Sequence, residues 1–235
     1  MTPQELAVEL KKEYGDMLKS VVLYGSAAGG DHSKKFSDFN IICILDHILP
    51  SLIARSNRIV RRWVKAGNPP PHFFGEDHIR ESLDVFPIEF LDMQERHEVV
   101  AGIDPLAGIK IDPKNLRLQC ESELKGKLIH LRSFYAANCH DTKLLAKTMV
   151  ESFPSFMAAF RGLLRLIGKK DLVDVREVLT ALAAASGANP DIFLTIADIR
   201  AGRSELPRKD EALVLFEHYL TGIDRITTFA DTLQI

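Results

Sequence analysis

The sequence has few cysteines, no long apolar stretch and no excess of either charge. Its three cysteines, Cys43, Cys120 and Cys139, are odd in number and far apart, which argues against a disulfide framework and is typical of a reducing compartment. No apolar run approaches the ~18 residues that a membrane-spanning helix needs. The first residues are charged and amphipathic rather than a signal sequence. These features predict a cytoplasmic protein without a membrane partner.

The charge balance bears on the class of partner. The chain has 30 Lys and Arg against 32 Asp and Glu, a formal net charge of −2. Proteins that bind nucleic acid in bulk usually carry a basic excess that neutralises phosphates. The composition therefore argues against bulk nucleic-acid binding.

The order of apolar patterns divides the chain in two. In residues 1–113, short and nearly continuous apolar runs that are typical of covered strands alternate with helical patterns. The predicted strands are 20–24, 39–45, 73–74 and 85–93. A helix is predicted over 50–65, after the second strand, and another over 76–83, after the third. In residues 114–235 the patterns are helical, at roughly 115–138, 141–167, 173–186, 190–202 and 209–233, and Pro154 should kink or split the second. We therefore predict an α/β domain over 1–113 and a helical bundle over 114–235.

A Gly-Ser pair ends the first predicted strand. Gly25 lets a ligand come close to the backbone, and Ser26 adds a hydroxyl donor, so the turn could bind a phosphate. Gly25 and Gly30 have the spacing of a P-loop, but Asp31 and His32 stand where Lys and Ser/Thr are required. A Walker-type NTPase is therefore disfavoured, and on the glycines alone an ordinary strand-to-helix turn is the favoured interpretation.

Polar side chains also interrupt two of the apolar strands. Asp38 and Asn40 are two positions apart, so on a strand they point to the same face. Glu89 lies inside the predicted strand 85–93, where an unpaired carboxylate would be costly. On neighbouring strands the three side chains could converge as oxygen ligands for Mg²⁺. Taken singly, Asp38 could cap a turn, Asn40 could mark a strand edge, and Glu89 could pair with a helix arginine.

Together these segments resemble the DNA polymerase β-type nucleotidyltransferase superfamily. Its motif is Gly-Gly/Ser, a spacer, Asp-x-Asp/Glu and a third carboxylate on a later strand. The resemblance covers roughly residues 20–93, and the helical second half is similar to the bundle that follows this domain in kanamycin-type nucleotidyltransferases. It implies an α+β fold in which a mixed sheet with flanking helices precedes an all-α bundle.

The resemblance also implies roles for individual residues. Gly25 and Ser26 would bind a nucleoside triphosphate, Asp38, Asn40 and Glu89 would hold the metal, and Asp38 and Glu89 would be catalytic. In such enzymes two metal ions activate the attacking hydroxyl and stabilise the pyrophosphate, and the third acid can act as a general base. We expect Mg²⁺-dependent transfer of a nucleoside monophosphate to an acceptor hydroxyl. A small-molecule acceptor is favoured because the chain has no basic excess.

Asn40 departs from the superfamily pattern, which has a carboxylate at this position. An amide oxygen can bind Mg²⁺, but the loss of one of three negative charges weakens the attraction for two divalent ions. The alternative is therefore a catalytically degenerate module that binds nucleotide, or acts as a regulatory or antitoxin-like partner. An apolar face of the bundle could support a homodimer.

Overall fold

The computed structural model of the chain describes residues 1–25, 27, 28, 39–169, 172 and 174–235. The chain divides into two compact units, Met1–Ile111 and Asp112–Ile235. Among the described residues, no helix is both long enough and apolar enough to cross a bilayer.

A mixed sheet forms the centre of the first unit. Its strands are β1 (Leu18–Tyr24), β2 (Asn40–Leu45), β3 (His72–Gly75) and β4 (His97–Gly102). They lie in the order β3-β2-β1-β4. The central strand β1 is antiparallel to both β2 and β4, and β3 runs parallel to β2. The sheet is therefore mixed, and β4 lies beside β1 although it is distant in sequence.

Helices cover both faces of this sheet. They are α1 (Pro3–Tyr14), α2 (Pro50–Arg55), α3 (Asn57–Lys65), α4 (His78–Glu81) and α5 (Pro87–Glu95). On one face, which we call the α1 face, α1 and α3 pack against Leu23, Ile41 and their neighbours. On the other, the α5 face, residues of α4 and α5 pack against Val22, Ile42 and Ile44. Alternate strand residues thus belong to two separate cores.

The structure corrects the predicted strand over 85–93. This segment forms α5, and Pro87 occupies a first-turn position of the helix, where its missing N–H removes no helical hydrogen bond. A short apolar run fits a buried strand and a helix equally well, which explains the error. The strand that follows, β4, was not predicted. The single helix expected over 50–65 is two helices that meet at Ser56.

The second unit is helical, as predicted. Its helices are α6 (Pro113–Asn138), α7 (Thr142–Ser152), α8 (Met157–Leu166), α9 (Val175–Ser186), α10 (Pro190–Arg200) and α11 (Asp210–Thr232). Pro154 lies in a 3-10 turn between α7 and α8, so the expected split is confirmed. Edge-to-face contacts join Phe160 to Phe193 and Phe193 to Tyr219, and these rings are buried. The unit therefore has its own aromatic core.

Candidate active site

The turn after β1 is the first part of the candidate site. Gly25 has a φ of 83°, a conformation that glycine adopts without the steric cost of a Cβ. Its N–H donates to the carbonyl of Arg96 (2.9 Å), and its own carbonyl accepts from the N–H of Ala28 (3.1 Å). The turn is thus tied to the chain segment that leads into β4. Ser26, the predicted second residue of this turn, lies outside the described residues.

Asn40 lies directly beside this turn. It is paired with Tyr24 across the β1–β2 ladder, and a Cβ built on Gly25 would be 3.5 Å from the Nδ2 of Asn40. The N–H of Phe39 donates to Oδ1 of Asn68 (3.3 Å), which fixes the start of β2. Asp38 lies outside the described residues. The structure therefore brings Gly25 and Asn40 together and leaves the place of Asp38 a prediction.

A row of polar side chains crosses the sheet at this end. Tyr24 is paired with Asn40 on one side and with His97 on the other. Tyr24 packs against the core of the α5 face, so its two partners belong to the same face. Because neighbouring strands lie about 4.8 Å apart, the side chains of Asn40 and His97 are each next to that of Tyr24. Burial raises the pKa of the Tyr24 hydroxyl, which therefore remains protonated at neutral pH. The row thus offers an amide, a phenol and an imidazole beside the turn.

Both ring nitrogens of His97 lie at hydrogen-bond distance from an oxygen atom, and a neutral imidazole donates to one of the two. Its Nδ1 lies 3.0 Å from the carbonyl of Gln94, and its Nε2 lies 3.2 Å from Oδ2 of Asp104. The other oxygen of Asp104 accepts from the N–H of Leu106 (2.9 Å). Burial opposes ionisation of Asp104, but the hydrogen bonds from Leu106 and His97 outweigh it, so the pKa of this carboxyl lies below its usual value. These bonds fix the start of β4 next to Gly25.

Glu89 occupies a different setting from the one expected. It lies in the first turn of α5 with an exposed side chain, not within a strand. Its neighbour Phe90 packs onto the α5 face, the face to which Asn40 belongs. The reason for selecting Glu89, burial in a strand, is therefore wrong. Its role as a metal ligand and base stays a prediction.

The donors in the described part of the chain can be compared with what Mg²⁺ requires. No group of three or more His, Cys, Asp or Glu side chains that could hold a metal ion occurs among the described residues. Asn40 contributes one neutral amide oxygen. Mg²⁺ in nucleotide sites is often held by one or two carboxylates together with the phosphates of the substrate. Among the described residues, Asn40 is thus the predicted ligand that lies beside the Gly25 turn, and a metal site there stays a prediction.

Sequence reasoning missed Arg96 and His97, because it missed β4. The segment His97–Gly102 alternates poorly, since most of its residues are only partly buried. The signals that were present are the β-branched pair Val99-Val100 and the glycine that ends the run.

Comparison with known proteins gives the fold of the whole chain. No protein-family model and no curated protein matches it. Among solved structures it is similar to a spectinomycin adenyltransferase from Enterococcus faecialis, determined with ATP and spectinomycin. The TM-score is 0.51 at 12% sequence identity, and the match covers 96% of this chain and 99% of that chain. The chain thus has a nucleotidyltransferase-like fold, a mixed α/β part followed by a helical region.

Proposed function

We propose that this protein binds a nucleoside triphosphate at the Gly25 turn and transfers the nucleoside monophosphate to a hydroxyl group of a small molecule. The observation that carries the proposal is the likeness over nearly the full chain to an adenyltransferase that was solved with ATP and a small-molecule acceptor. The position of the Asn40 amide beside the Gly25 turn supports it, because it puts a residue of the proposed metal site next to the proposed phosphate turn.

In this proposal the turn binds the phosphates and the start of β2 holds the metal. Asp38 and Ser26 act with Asn40 and Gly25, and Glu89 from α5 is the third acid. Bound Mg²⁺ would neutralise phosphate charge and favour attack by the acceptor hydroxyl. The residues of the chain position the triphosphate and receive the hydroxyl proton, a role that falls to a carboxylate.

A second candidate function is nucleotide binding without transfer. Two observations favour it: the second ligand position holds the neutral amide of Asn40, and Glu89 lies on a helix with an exposed side chain. Such a module would keep the affinity of the turn for phosphate and would act through a partner.

Two measurements on the full chain separate the two functions. Calorimetry with ATP, GTP, CTP and UTP, each with and without Mg²⁺, tests binding. Release of pyrophosphate in the presence of spectinomycin and other hydroxyl-rich small molecules tests transfer. We expect Mg²⁺-dependent binding and acceptor-dependent release. Binding without release for every acceptor would favour the second function, and the absence of binding would contradict both.

A matched pair of variants controls the transfer assay. Asp38→Asn removes the predicted metal carboxylate and should abolish pyrophosphate release. Asp31→Asn makes the same chemical change in the same connecting segment and should leave release unchanged. Equal loss in both variants would contradict the role assigned to Asp38.

A further inference from the structure

We propose that Arg96 is a further substrate-binding residue, whose guanidinium binds the terminal phosphates of a nucleotide seated on the Gly25 turn. This inference rests on the proposed function and adds a cationic group that the sequence motif does not contain. Its substrate class is a nucleoside triphosphate, and its contribution should depend on the number of phosphates rather than on the base.

The position of Arg96 is the first argument. Its backbone carbonyl accepts the hydrogen bond from the N–H of Gly25 at 2.9 Å. Arg96 also immediately precedes His97, which is fixed by Gln94 and Asp104. The backbone of Arg96 is therefore held at the turn that would receive the phosphates, and a bound nucleotide would lie next to this residue.

The charge of Arg96 is the second argument. Its side chain is only partly buried and forms no hydrogen bond or ion pair with the described residues. Two arginines of the same unit do have carboxylate partners: Arg55 binds Glu13, and Arg62 binds Glu9. A guanidinium without a carboxylate partner has no competing anion to release and can bind phosphate through two parallel N–H donors.

The absence of a P-loop lysine is the third argument. A triphosphate carries several negative charges, and the segment after Gly25 has Asp31 and His32 where a P-loop has Lys and Ser/Thr. Backbone N–H groups and one Mg²⁺ would still leave part of the phosphate charge uncompensated. Arg96 would supply this charge from the segment that leads into β4 rather than from the loop.

A purely structural role for Arg96 gives different expectations. The residue follows the last turn of α5, and its N–H donates to the carbonyl of Met93. A cation at this end of a helix interacts favourably with the helix dipole. In that role Arg96 would affect thermal stability but would not distinguish ATP from adenosine.

The test compares ligands that differ in phosphate number. The affinities of wild-type protein and of Arg96→Ala for ATP, AMP and adenosine are measured by calorimetry with Mg²⁺. We expect Arg96→Ala to weaken ATP binding about tenfold or more, the scale of a hydrogen bond to a charged group, with little change for adenosine. Arg96→Lys, which keeps the charge but not the paired donors, should be intermediate.

The controls make each outcome decisive. Arg58→Ala removes the same charge from an exposed position of α3, which packs on the α1 face, and should leave all affinities unchanged. Thermal unfolding without ligand checks that each variant is folded. Equal losses for ATP and adenosine, an equal effect of Arg58→Ala, or unchanged ATP affinity in Arg96→Ala would overturn the assignment while leaving the proposed function intact. If the wild-type protein binds no nucleotide, both fail.

Discussion

Asn40 occupies the proposed second metal-ligand position of the candidate site. Its side chain lies beside the Gly25 turn, and its amide presents an oxygen ligand without charge. A carboxylate of nearly the same shape would add one negative charge at the same place. Because an opposite charge at contact distance contributes on the order of 1 kcal/mol even in a well-solvated site, this one substitution tests the electrostatics of the site directly.

We expect Asn40→Asp to raise the Mg²⁺-dependent affinity for ATP by several-fold to about tenfold. Calorimetry with and without Mg²⁺ measures the change. Asn57→Asp is the matched control, since Asn57 is exposed at the start of α3 and gains the same charge. No gain in Asn40→Asp, or the same gain in Asn57→Asp, would show that Asn40 does not face the metal.

Gly25 offers a second test at the residue scale, with Gly15 as its control. Both glycines have positive φ, 83° and 60°, so alanine at either position should lower the free energy of unfolding by about 1–3 kcal/mol. Only Gly25→Ala should also weaken ATP binding, because only Gly25 belongs to the proposed phosphate turn. Urea unfolding and calorimetry measure the two effects. Equal ATP affinity in the two variants would remove the turn from the site.

At the scale of elements, the joint between β1 and β4 depends on Gly102. A Cβ at this position would lie 1.9 Å from the carbonyl oxygen of Lys19, and the φ of Gly102 is 86°. The clash is with backbone, so the two strands would have to separate. Gly108 also has positive φ (70°), but a Cβ there would have nothing within 4 Å.

We therefore expect Gly102→Ala to lower the free energy of unfolding by roughly 2–4 kcal/mol and Gly108→Ala by about 1 kcal/mol. The difference between the two losses measures the clash of the new Cβ with β1, since the cost of a positive φ is similar at both positions. Urea unfolding of the two variants gives the values. Equal losses would mean that β4 does not pack on β1 as described.

Elements with a strong, repeated pattern could be predicted from the sequence, and those with a short pattern could not. The nearly continuous apolar runs of β1 and β2 and the long helical periods of α6 and α11 were sufficient. The segment of α5 was misassigned because its few apolar residues fit either period. Strand β4 was missed because it lies at the edge of the sheet and is only partly buried, which weakens its apolar signal.

The same limit applies to the candidate site. Gly25 and Asn40 lie together because β1 and β2 are antiparallel neighbours, and both strands were predicted. Arg96 and His97 lie near Gly25 because β1 pairs with β4, and these two strands are distant in sequence. Tertiary packing sets this pairing, so it could not be predicted from any local pattern of residues.

At the scale of the whole molecule, the division into two units makes it possible to ask which unit a ligand protects. A ligand that binds the native state makes local unfolding of its binding site less favourable. Since the proposed contacts of the phosphates are Gly25 and Arg96, the effect of ATP should be greatest in the first unit.

We expect ATP with Mg²⁺ to slow amide hydrogen exchange most in peptides that contain the end of β1 and the start of β4. Adenosine, which lacks phosphates, should protect these peptides much less. Exchange followed by mass spectrometry on the full chain measures both. If the greatest protection fell within 112–235, the phosphates would be bound elsewhere.

The pairing of β1 with β4 also determines the order in which the first unit can be completed during synthesis. The hydroxyl of Ser20 donates to the carbonyl of Ala101, 81 positions later in the chain. A growing chain emerges from its N-terminus, so β1 and β2 can pair before β4 has been made, and contacts over such separations form slowly. Until then one edge of β1 has no partner, and an open edge readily pairs with other chains. The hydrogen bond between Gly25 and Arg96 therefore forms late, and we expect the nascent chain to expose this edge of β1 until the Gly25 turn is complete.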